Sequence, residues 1–188
     1  MDRRKALKNL GLLTGGVVLF PSCDFSEEKV SLALNKLRIT ESQETLMKEL
    51  VGCIIPEGEI PGAVSLNVHD FVWIMVDDCM DEPSQKSYLA GLNNFDNSIK
   101  NISGKRFGKL IPEDRIKALS GILEKAGGTL EPADQDLVNF VQTTKNFTSL
   151  GYMRSEYMMT EVMPYTLIPG TYGPCETIDN SKRINING

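Results

Sequence analysis

Thr40-Glu41-Ser42-Gln43-Glu44-Thr45-Leu46-Met47-Lys48-Glu49-Leu50-Val51-Gly52-Cys53-Ile54-Ile55-Pro56 decides the fold class. Thr40 with Gln43 three residues on is a capping box. The hydroxyl serves the N–H of Gln43, and the Gln43 amide serves the N–H of Thr40. Leu46, Leu50, Cys53 and Ile54 then recur at helical spacing, and Pro56 and Gly58 end the run. A helix with its own start signal, one apolar face and a proline stop predicts a protein built by packing helices on helices.

The same grammar repeats outward. Glu57 to Ser65 reads as a loop around Ile60-Pro61-Gly62. A second helix is expected from Asn67 to about Met80, with Val68, Val72, Met75, Val76 and Cys79 as its apolar stripe. Phe71 and Ile74 widen that stripe, so the helix should be largely buried. Pro83 suits the first turn of a third helix, marked by Tyr88, Leu92, Phe95 and Ile99 and ending before Ser103-Gly104. Pro112-Glu113-Asp114 opens a fourth, with acidic residues where the helix dipole favours them, and Gly127-Gly128 stop it. Pro132-Ala133-Asp134 opens a fifth through Leu137, Val138 and Val141. Gly151 is expected to separate it from a sixth, Tyr152 to about Met163. After Pro164 the chain reads as irregular. No stretch alternates as a strand would. The expectation is an all-α protein: a single compact domain of five or six helices with an irregular C-terminal tail.

Ahead of this body stands Arg3-Arg4-Lys5-Ala6-Leu7-Lys8, then the apolar run from Leu10 to Phe20, then Pro21-Ser22-Cys23. The run is about half of the roughly 20 residues that a membrane span needs. Residues 1–22 read as a twin-arginine export signal with Arg3 and Arg4 at its head, a route taken by proteins already folded. Cys23 stands where a lipoprotein signal places its modified cysteine, and residues 23–39 read as a tether. The domain proper is expected over 40–188. The product should be exported, either periplasmic or anchored to the membrane by lipid on Cys23.

Residues 1–22 hold four basic and one acidic side chain, so their removal takes the net charge from −5 to −8 over the remaining 166 residues. So acidic a domain disfavours nucleic acid, because phosphate binding needs clustered Lys and Arg. Cys53, Cys79 and Cys175 remain besides Cys23. Cys53 and Cys79 are expected as small core residues, with pairing between them open. Cys175 is the natural candidate for a bond to a partner.

The chain offers little chemistry. His69 is the only histidine, and at a helix start it reads as a packed or capping residue. Asp77, Asp78, Asp81 and Glu82 crowd one helix end. Asp77 and Asp81, four apart, should share a face. With His69 they would make a metal or acid/base site if the chain were an enzyme in its own right. Met153, Met158, Met159 and Met163 invite metal ligation, but methionine more often fills core gaps. No phosphate-cradling or dinucleotide fingerprint is present. A further reading is a lipoprotein that binds a ligand without chemistry.

Gly151-Tyr152-Met153-Arg154-Ser155-Glu156, then Pro164-Tyr165 and Ile168-Pro169-Gly170-Thr171-Tyr172-Gly173-Pro174-Cys175, resembles the gluconate 2-dehydrogenase subunit 3 family. So does the earlier stretch of Ile54-Ile55-Pro56, Ile60-Pro61-Gly62-Ala63, Val68-His69-Asp70-Phe71-Val72 and Asp77-Asp78-Cys79. The likeness covers most of residues 40–178; about 84–146 agrees in helical character alone. The resemblance implies a small subunit without catalysis of its own or bound cofactor. It would accompany a large FAD-binding sugar or polyol dehydrogenase through export, with a cytochrome c subunit as a further partner. Tyr152, Ser155, Glu156, Pro169, Tyr172 and Cys175 would form its docking strip, because tyrosines combine contact area with a polar tip.

Overall fold

In the computed structural model, which describes residues 32–128 and 130–163, five α-helices pack around one core, and no strand occurs among the described residues. They are α1 (Glu41–Ile54), α2 (Val68–Ile74), α3 (Glu82–Ser103), α4 (Pro112–Glu124) and α5 (Pro132–Met153). A 3-10 turn (Phe107–Lys109) precedes α4 and another (Lys125–Gly127) follows it. α2 runs on as a π-helical turn over Met75–Cys79, and a second π turn, Met158–Val162, closes the described chain. None of the described helices is long and apolar enough to cross a membrane. The all-α expectation holds, while the C-terminal tail lies outside the described residues.

The expected starts are where the chain places them. Both halves of the Thr40–Gln43 capping box form. Asp81 caps α3 by accepting from the N–H of Ser84, with Pro83 in the first turn. Pro112 and Pro132 open α4 and α5. Gly104 ends α3 at φ 76, a left-handed conformation that costs glycine little, and its N–H donates to Lys100 O at 2.8 Å.

α3 and α5, 22 residues each, make the most extensive helix pairing. Their axes close on Gly91, where a Cβ would lie 2.6 Å from Cβ of Phe140. Rings fill the space around that crossing. Tyr88 stands edge-to-face between Trp73 and Phe140, at centroid separations of 6.4 and 5.0 Å. Phe95 continues the series to Phe140 at 5.4 Å and Phe107 at 5.2 Å. The Tyr88 hydroxyl is paired with Thr144 at 2.8 Å, so its burial leaves no orphaned group, and burial lifts its pKa well above the ordinary tyrosine range.

Gly151 does not break α5. The helix passes through it to Met153, and a Cβ there would lie 2.5 Å from the Phe71 ring. Glycine stands at this position because α2 and α5 touch.

Residues 32–39, expected as the end of a tether, pack on the domain instead. Leu37 and Ile39 are buried. The segment is clasped by Asp77, whose carboxylate accepts from the backbone N–H groups of Asn35 (2.6 Å), Lys36 (2.9 Å) and Leu37 (2.7 Å). The π turn that carries Asp77 leaves carbonyls without helical partners, and the buried Gln85 side chain donates to two of them, Val76 O (2.9 Å) and Asp77 O (2.8 Å).

Candidate functional site

The loop between α1 and α2 is held by a single carboxylate. Glu57 accepts from the N–H of Gly62 at 2.7 Å and from the Ser65 hydroxyl at 2.9 Å. The Gly62 bond, then that of Ser65, keeps the Glu57 carboxyl below the usual range. A Cβ on Gly62 would fall 2.7 Å from the backbone of both Pro56 and Glu57, so glycine is required for the turn to close. Ala63, fully buried, donates to Ile55 O at 3.0 Å and accepts from the N–H of Val68 at 2.9 Å, joining the end of α1 to the start of α2. Asn67 leads into α2 with φ 52, a left-handed conformation that asparagine tolerates better than most residues.

The far end of α5 reaches this loop. The Tyr152 hydroxyl donates to Pro61 O at 2.9 Å across 91 residues of sequence. Ser155 continues the link, donating to Tyr152 O at 2.8 Å. Beyond it the chain turns into the final π turn. A cleft of about 430 Å³ runs between the two segments, lined on one side by Ser65, Leu66 and Asn67 and on the other by Ser155, Glu156 and Tyr157. Pro61 and Tyr152, from two stretches that carry the family resemblance and lie far apart in sequence, are thus neighbours in the fold.

Within the expected docking strip, Tyr152 is buried, and burial raises its pKa. Its ring is committed to holding the loop rather than offered to solvent. Ser155 is half-buried and Glu156 is exposed at the cleft edge. Pro169, Tyr172 and Cys175 lie outside the described residues, as do Arg3, Arg4 and Cys23. The sequence reading placed the helix start at Asn67 but missed Glu57. The spacing of Glu57 to Gly62 was visible, but a carboxylate serving a backbone N–H has no signature of its own.

The carboxylate cluster comes apart in three dimensions. Asp77 and Asp81 do not share a helix face, because the helix ends at Cys79 and Met80 is extended. Asp77 is buried and structural. Burial pushes its pKa up, but the bonds from Leu37, Asn35 and Lys36 outweigh it, so the carboxyl sits below its ordinary value. Asp78 accepts from the Asn35 amide at 3.1 Å, Asp81 caps α3, and Glu82 pairs with Lys86 at 2.7 Å. Among the described residues, no three His, Cys, Asp or Glu side chains stand together as metal donors would.

His69 stands in the first turn of α2, within reach of the charges of Glu44 and Lys48 on α1. It is buried, with Nε2 3.5 Å from Asp70 and Nδ1 unpartnered. Burial lowers its pKa, against the pull of Asp70. Met158 is buried in the core, whereas Met153 is 47% exposed. Met163 closes the final π turn, its N–H reaching back five residues to Met158 O at 2.7 Å. Cys53 and Cys79 are both free thiols, so they do not pair with each other. Cys79, expected in the core, is exposed because the π turn rotates it off the buried stripe; Cys53 is half-buried.

Residues 41–170 match the family model described as gluconate 2-dehydrogenase subunit 3. Searches of curated proteins and of solved structures gave no match.

Proposed function

Because this chain belongs to the gluconate 2-dehydrogenase subunit 3 family, we propose that it is the non-catalytic small subunit of an exported, FAD-dependent sugar or polyol dehydrogenase. In this reading it binds no cofactor. The large subunit holds the FAD, and a cytochrome c subunit can take the electrons. An FAD protein is stabilised by its cofactor, so it is best exported after folding. A partner carrying the Arg3-Arg4 signal can take it across in that state. The pair then resides in the periplasm or at the membrane, held by lipid on Cys23.

The observation that carries the reading is the contact of Tyr152 with Pro61. It ties the end of α5 to the α1–α2 loop, and beside it lies an open cleft. A face fixed by internal hydrogen bonds suits recognition, since little is left to order on binding.

Replacing Arg3 and Arg4 with lysine in the native host tests it. The expected outcome is that this chain and a flavoprotein dehydrogenase both remain in the cytoplasm. Continued export of the flavoprotein while this chain is retained contradicts the escort role.

A further inference from the structure

A second cleft, of about 350 Å³, lies between α1, α4 and α5, on walls of Leu50, Ile54, Leu119, Leu123 and Val141. Cys53 lies in its wall and Lys145 at its rim. The cleft is not closed. Ile116 on its α4 side is 54% exposed, and Pro56, Ser120 and Lys145 are exposed around it. The groove lined by Glu41, Glu49, Asp96 and Arg106 is of similar size but charged. Leu50, Leu119 and Val141 form its buried floor, and its exposed apolar lining is Ile116 with the half-buried Ile54 and Leu123; exposed aliphatic surface in a concave site is a feature of interaction surfaces.

Openness selects the kind of occupant. Small-molecule sites usually enclose about 70–90% of the ligand surface. A small apolar ligand here would stay in water along the side of Ile116 and Ser120, whereas a protein surface laid over the cleft would close it. A cavity of roughly 150 Å³ holds one ring-sized apolar group, so this cleft has room for two. Lys145 makes no ion pair among the described residues. In an acidic chain, an unpaired ammonium beside an apolar slot favours a segment that also brings a carboxylate.

We propose that this cleft is a seat for the large flavin-binding subunit, taking a segment with two large aliphatic or aromatic side chains and one carboxylate that meets Lys145. The inference rests on the accessory-subunit reading and adds a second contact, distinct from the face around Tyr152 and Pro61.

Cys53 serves as a built-in reporter. The free chain and the flavin-containing complex are each treated with N-ethylmaleimide, and modification is read cysteine by cysteine by peptide mass spectrometry, with exposed Cys79 as reference. The expected result is that Cys53 reacts at least about tenfold more slowly in the complex. In parallel, Ile116→Glu should sharply reduce recovery of the flavoprotein, while Ile102→Glu, 58% exposed on α3 outside the cleft, should not. Both residues are exposed, so neither change threatens the fold. Equal Cys53 reactivity in complex and free chain, with Ile116→Glu harmless, overturns the seat but leaves the accessory role standing. Failure of any flavoprotein to co-purify overturns both.

Discussion

Asp77 shows how one buried charge can serve structure alone. Three backbone N–H groups converge on its carboxylate, and such charge-assisted bonds are the stronger kind. Asp77→Asn keeps the shape but loses the charge and one oxygen acceptor. We expect it to cost about 2 kcal/mol, as for bonds to charged groups, measured by urea unfolding. The linkage sign follows from the depressed pKa. The stabilisation is present above the ordinary value of 3.8 and is lost as pH falls through the lower folded value. His69 acts in a different window. Its folded pKa also lies below the ordinary 6.5, so the unfolded chain takes up protons first. Stability should be full above 6.5 and decline as pH falls from there toward the folded value. His69→Gln should flatten that slope in pH-dependent melting, and an unchanged slope would show that other groups produce it.

At the scale of elements, the fold rests on close helix contacts at two glycines. Gly91 lets α3 and α5 approach, and Gly151 does the same for α2 and α5. Gly91→Val should cost about 1–3 kcal/mol or more, since neither the Phe140 Cβ nor the Asp136 backbone can move far. Tyr152→Phe removes only the bond to Pro61. We expect a loss of about 1 kcal/mol and faster amide exchange confined to the 56–67 loop.

The element scale also shows what could be read from the sequence. Caps and prolines act through neighbours three or four residues away, so Thr40–Gln43, Pro112 and Pro132 were legible. Gly151 was misread as a break. A glycine in a helical run marks either a stop or a close approach, and the ring of Phe71, eighty residues earlier, decides which. The Asp77 clasp was invisible because backbone N–H groups exist at nearly every residue and have no signature. The π turn over Met75–Cys79 shifts the register, which is why Cys79 leaves the core, and the helix end at Cys79 parts Asp77 from Asp81.

At the scale of the whole molecule, the proposed function rests on surfaces. The interior is held by ring contacts and a few buried hydrogen bonds, with Nδ1 of His69 and Nε1 of Trp73 left without partners, and the carboxylates that suggested a reaction centre are each engaged in separate structural tasks. Of the site, the sequence disclosed the two family stretches but not that Tyr152 and Pro61 touch. The apolar cleft beside Lys145 was equally hidden, because its walls come from three helices.

The most direct measurement is the mass and absorbance spectrum of the mature protein purified under native conditions from its own host. Co-elution with a larger chain at a fixed ratio is expected, with a flavin spectrum belonging to that chain. A solitary chain, without flavin and oxidising a sugar or polyol unaided, would contradict it.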